Sequence, residues 1–174
     1  MGNRAVIITD KIDMGLYLHW HGSPEQVQAF LSYCQLMKFC SPEWDCYGWA
    51  QLAKVIGNSI DRNRRSRGMS IGLFPISAPQ KKPGQSLTFP QISPQLTSDW
   101  IDALSPGDNG IYVIRDWEII QHLDVSQSDD PVSSETLLML LKEINEYQTY
   151  HLPEEELVQY VREREAAHEQ SFPA

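Results

Sequence analysis

Residues Leu16–Gln26 read LYLHWHGSPEQ, a strand pattern that gives way to the start of a helix. Leu16, Leu18 and Trp20 alternate with Tyr17, His19 and His21, the two-residue period of a strand with one face toward a core. Gly22 breaks that period. Ser23 then suits a helix N-cap, Pro24 the first helical position, and Gln26 the partner of a capping box. Upstream, Arg4–Thr9 is apolar and β-branched, and the loop 10–15 makes it the first arm of a hairpin. Downstream, Val27, Phe30, Leu31, Cys34 and Met37 fall on one helical stripe that Ser41 and Pro42 end or interrupt.

A second helix is expected from about Tyr47 to Ile60, with Trp49, Leu52, Ala53, Ile56 and Ile60 on one face. Met69–Phe74 reads as a strand. Pro75, Pro79, Pro83, Pro90 and Pro94 then exclude regular structure across 75–99. A run of that length suits a functional loop, a covering arm or a mobile insert. Gly107–Gly110 (GDNG) is a turn signal, and Ile111–Ile114 and Trp117–His122 pair about Arg115 and Asp116 or form one long strand with a bulge. Asp130 can cap a helix whose apolar face is Leu137, Leu138, Leu141, Ile144 and Tyr147. Leu152 and Pro153 restart a last helix whose first turn is Glu154, Glu155 and Glu156, where carboxylates meet the positive helix end. The order β-β-α-α-β-β-β-α-α predicts an α+β domain with a mainly antiparallel sheet of about four or five strands and helices packed on one face. Residues 1–123 form this core, with an irregular Arg- and Pro-rich insert at about 61–99. Residues 124–174 form an acidic helical segment packed on the same domain.

Charge is segregated. Residues 1–123 hold eleven acids and eleven Lys or Arg, whereas 124–174 hold twelve acids against Lys142, Arg162 and Arg164, so the net charge of −9 lies in the last third. That balance opposes direct nucleic-acid binding, which needs cations for the phosphates, and offers a field to a basic protein partner. No apolar run reaches bilayer-spanning length, and the opening residues lack a signal-peptide pattern. Cys34, Cys40 and Cys46 fit reduced thiols in a cytosol. Their spacing does not match the close pairs of zinc sites, and Cys34 belongs to the core stripe.

Four groups invite a functional reading. The carboxylates Glu154, Glu155, Glu156, Glu163 and Glu165, with the aromatics Tyr147, Tyr150 and Tyr160, form a candidate partner-binding surface that stands in for nucleic-acid phosphates; the bland reading is a solvated helix face. Trp44 and Trp100 are further aromatic candidates, because binding hot spots favour Trp, Tyr and Arg. Arg62, Arg64, Arg65 and Arg67 offer bidentate contacts to a nucleotide phosphate, with Tyr17, His19 or His21 as a sheet-face complement. Otherwise they pair internally with the acidic segment. His19 and His21, at i and i+2 on one strand face, are the metal-site candidate of a metal-dependent enzyme, with His122, Asp116 or Cys46 as the third ligand. Finally, Cys46 or Ser70 beside His19 or His122 gives a nucleophile–base pair that nothing in the chain aligns. No P-loop, GxGxxG or GxSxG motif is present, and neither a catalytic residue nor a cofactor is expected.

Four stretches carry a resemblance: GLYLHWHG at 15–22, AFLSYC at 29–34, DCYGWAQLAKVIG at 45–57 and GDNGIYVIRDWE at 107–118. Together they resemble a group of small uncharacterised proteins carried by phages and mobile elements of Gram-positive bacteria. The likeness covers the two helices and the later strands, and is weak over 61–99. It carries no catalytic residue. What it implies is a setting, since small acidic accessory phage proteins often block a host defence system; with the acidic surface, the expectation is a non-enzymatic inhibitor of a defence complex, of the anti-CRISPR kind, in the cytoplasm of a bacterial host.

Overall fold

Ala5–Thr9, apolar or β-branched throughout, forms strand β1. In the computed structural model, residues 3–11, 14–60, 71–75, 107–123 and 131–171 are described. β1 pairs antiparallel with β2, Met14–Leu18, setting Ala5 opposite Leu18 and Ile7 opposite Leu16. β2 pairs antiparallel with β3, Ile71–Pro75. On its other side β1 runs parallel to β4, Ile111–Arg115, with Ile7 beside Tyr112. β4 turns back antiparallel into β5, Glu118–Leu123. The sheet order is β3-β2-β1-β4-β5. The sheet is therefore mixed: parallel strands need a long crossover, and the chain between β1 and β4 includes two helices.

The described helices are α1 (Pro24–Leu36), α2 (Cys46–Ile60), α3 (Ser134–Glu146) and α4 (Glu154–Ser171), so the domain is α+β. Ala5, Ile7, Leu16, Leu18, Tyr112 and Ile114 on one sheet face meet Val27, Phe30 and Leu31 of α1, Trp49, Leu52 and Ile56 of α2, Leu137 and Leu141 of α3, and Leu157 and Val161 of α4. Val6, Ile8, Ile111 and Val113 on the opposite face are also fully buried. The central strands thus read as continuous apolar runs because both their faces leave water. No described helix is long and apolar enough to cross a membrane.

Several boundaries differ from expectation, each for a tertiary reason. β2 ends at Leu18 rather than His21; His19 and Trp20 form a bend and His21 adopts a left-handed φ of 62°. Gly22 sets that exit: a Cβ there would lie 2.7 Å from the Ala5 Cβ. Its N–H donates to the Asn3 carbonyl at 2.8 Å, and its carbonyl accepts the buried Tyr112 hydroxyl at 2.9 Å. Ser23 occupies the N-cap of α1, but its side chain makes no cap bond, and Gln26 pairs with the His21 ring instead. α1 stops before Ser41. Lys38, at φ 55°, sends its N–H to the Gln35 carbonyl, and Phe39 N–H reaches the Cys34 carbonyl, a Schellman ending without glycine.

Asp130 lies outside the described residues; Ser133 caps α3, its hydroxyl accepting the Thr136 N–H at 3.2 Å. GDNG contains a short 3-10 turn, Gly107–Asn109. The β4–β5 hairpin turns at Asp116 and Trp117, one residue later than expected. Met69, Ser70 and the insert expected at 61–99, apart from β3, fall outside the described residues.

The α3–α4 connection is held by one amide. Asn145 accepts the Leu152 N–H at 2.8 Å and the Tyr33 hydroxyl at 2.9 Å on its Oδ1, and donates from Nδ2 to the Leu152 carbonyl. Gln148 is buried and donates to the carbonyls of Val55 and Ile144 and to the Ser59 hydroxyl, which ties the same connection to α2.

Candidate functional site

The acid-rich helix α4 packs on the core through Leu157 and Val161, with Tyr160 and Arg164 half-buried beside them. Glu154, Glu155, Glu156, Glu163 and Glu165 are all exposed. At about 100° per residue, Glu165 lies close to Glu154, while Glu156 and Glu163 share the opposite side of the exposed arc. Glu155 and Arg162 lie between them. The carboxylates therefore surround the exposed side of α4 in two groups about 13 Å apart along its axis, rather than forming one row. Glu154 pairs with Lys142, and Glu163 accepts from Gln159 at 2.7 Å. Arg164 holds Glu118 of β5 in a two-pronged ion pair at 2.8 and 3.0 Å. Burial is the largest influence on this guanidinium and lowers its pKa; the bond and charge of Glu118, with Tyr160, together raise it more. Arg164 is therefore a strut between helix and sheet, turned away from the exposed acids.

The three aromatics nominated beside the acids divide. Tyr150 is exposed, with 74% of its surface in water. Tyr160 is half-buried, and its hydroxyl donates to Gln35 of α1 at 2.6 Å, so it holds α4 in place. Tyr147 is half-buried at the C-cap of α3.

The histidines do not share a strand face, which removes the geometric basis of the metal reading. His19 meets the Tyr17 hydroxyl at 3.4 Å and stacks edge-on with Trp20. His21 turns to Gln26 and lines a cleft over Ala29, Phe30, Leu140 and Ile144, with Ser59 and Glu143 at its edge. This cavity holds about 20 Å³, room for about one water and too small for a nucleotide. Arg62, Arg64, Arg65 and Arg67 lie outside the described residues. His122 stacks on Tyr112 with ring centres 4.0 Å apart and bonds the Asn109 carbonyl at 2.7 Å. Among the described residues no three His, Cys, Asp or Glu side chains converge as a metal ion requires. Cys34 is buried and its thiol pKa is pushed up strongly by burial, which keeps it a core hydrophobe.

Sequence reasoning placed Trp44 only in a pool of aromatics. Its setting comes from distant contacts. The turn Asp116–Trp117 has φ of 49° and 65°, conformations usually left to Asn and Gly in two-residue hairpins. Trp117 is nevertheless buried, its indole N–H donating to the Phe39 carbonyl at 2.9 Å. Asp116 N–H donates to the buried Glu43 carboxylate, which also takes the Ser41 hydroxyl. The Asp116 carboxylate in turn accepts the Trp44 indole N–H. Two residues on, Glu118 holds Arg164. One hairpin turn thus joins an exposed tryptophan to the acidic helix.

Comparison with protein-family models, with curated proteins and with solved structures finds no match for the chain.

Proposed function

We propose that this protein acts by binding rather than by catalysis, as a phage-type counter-defence protein that inhibits a bacterial defence effector of the CRISPR-Cas kind. The observation that carries this reading is α4, whose five outward carboxylates include only one, Glu154, in an ion pair with a described cation. A basic partner gains charge complementarity there, which speeds association and sets specificity. Because the acids surround the exposed side of the helix, the partner that meets all of them is a basic groove or channel. Such a groove normally holds nucleic acid, so occupancy by α4 blocks it by competition. The resemblance to accessory phage proteins supplies the setting.

The test is capture of purified CRISPR-Cas effectors on the immobilised protein, beside a variant with Glu155, Glu156, Glu163 and Glu165 all changed to Lys. Binding of at least one effector, lost in the variant and weakened steeply by salt, supports the reading. Equal capture by a variant whose circular dichroism is unchanged overturns it.

A further inference from the structure

We infer that Trp44 is a preorganised anchor for an arginine side chain on a protein partner; this rests on the reading that the protein binds a basic partner. Trp44 and Tyr47 expose 72% and 71% of their surface, yet Trp44 is held at two points. Its indole N–H donates to Asp116 at 3.1 Å. The Lys11 ammonium lies 5.3 Å from its ring centre and is itself bonded to the Glu43 carbonyl.

The parts that hold it are fixed in turn. Asp116 hangs from Glu43, a carboxylate only 6% exposed. The left-handed pair Asp116–Trp117 is strained, and is sustained by burial of Trp117. Gly48 lets α2 approach this loop: a Cβ there would meet the Cys40 carbonyl and the Pro42 nitrogen at 2.6 Å. An exposed aromatic ordered by the fold binds without a further ordering penalty, which is the property of a hot-spot anchor.

The chemistry around the ring selects the occupant. Lys11 covers one approach to the indole and leaves the rest of the ring open. Asp116 sits at its polar edge and Asp45, the N-cap of α2, lies one residue along the chain. Neither carboxylate is in an ion pair among the described residues. A planar guanidinium lies flat on an indole and forks onto a carboxylate, whereas an ammonium meets the ring as a hydrated point charge and gains less from the pair. A nucleobase stacks equally well, but its phosphates would meet these acids and a net charge of −9. Charge complementarity therefore favours arginine on a protein.

The test is titration of the isotope-labelled full chain with an oligo-arginine peptide, an oligo-lysine peptide of equal length and an oligothymidine, read by NMR. The Trp44 indole N–H is assigned through Trp44→Phe. The expected result is a saturable shift of that signal by oligo-arginine, with affinity lowered about fivefold by Trp44→Ala and lowered as well by Asp116→Asn. Oligo-lysine is expected to bind more weakly than oligo-arginine and the oligothymidine not at all. Arginine binding equal in wild type and a folded Trp44→Ala protein overturns the anchor, as does equal binding of lysine or binding of the oligothymidine. Arginine binding that survives Trp44→Ala but is lost on reversing the α4 acids removes the anchor and leaves the α4 reading standing. Binding lost only with Trp44 does the converse.

Discussion

Trp44 and Asp116 lie 72 positions apart and meet at the surface, indole N–H to carboxylate, at 3.1 Å. The contact depends on Glu43, which is buried and bonds both the Ser41 hydroxyl and the Asp116 N–H. Removing that acceptor leaves a donor without its partner in a strained turn. Glu43→Ala should therefore lower stability by about 2–3 kcal/mol, and Glu43→Gln, which keeps one acceptor oxygen, by less. Urea unfolding of the three proteins checks the order; equal midpoints would mean the turn holds itself.

The α1 ending gives a prediction of opposite sign. Lys38 carries a side chain at φ 55°, where glycine has no steric penalty. Lys38→Gly should stabilise the protein by about 1 kcal/mol. Gly48→Ala should do the reverse, despite a better helix propensity, because the added methyl meets backbone at 2.6 Å; the expected loss is about 1–3 kcal/mol. Thermal melts compare the two directly, and a stabilising Gly48→Ala would refute the close approach of α2 to the 40–42 loop.

Asn145 bonds both backbone groups of Leu152 and the Tyr33 hydroxyl. Asn145→Ala should cost about 2–3 kcal/mol, with the loss concentrated where α4 joins the domain. Hydrogen exchange should then show α4 amides losing protection first. Uniform loss across α1 and α4 would place the effect elsewhere.

Tyr33 supplies a pH dependence. Burial, and then the neighbouring Cys34, push its phenol up to about 12 from an ordinary 10.0. The raised folded value means that its contribution is complete below pH 10, where the phenol is neutral in both states. As pH rises toward 12 the unfolded chain ionises first, and stability is lost. Tyr33→Phe cannot ionise. The stability of wild type relative to Tyr33→Phe should therefore fall between about pH 10 and 12; a difference constant across that range would contradict the assignment.

Local periodicity carried most of the fold into the sequence. The stripes on α1 and α2 predicted Phe30, Leu31, Trp49 and Leu52 as core, and all four are buried. Long-range contacts were not legible. The alternation from Leu16 to His21 continues on paper, but β2 ends at Leu18 because Gly22 must fit against Ala5 and Asn3. The parallel contact of β1 with β4 has no local signal at all. For the candidate surface, composition located the α4 acids and their exposure, and the helix period spread them around the exposed side of α4. Trp44 could not be singled out, since the groups that hold it come from Lys11, Glu43 and a hairpin turn that starts at Asp116.

The most direct test of binding through α4 is biological. A phage targeted by a CRISPR-immune host is plated on cells expressing the chain and on cells expressing the form with Glu155, Glu156, Glu163 and Glu165 reversed to Lys. Plating should be restored by the first and lost with the second at equal protein levels. Restoration by both, with the reversed protein folded, would contradict it.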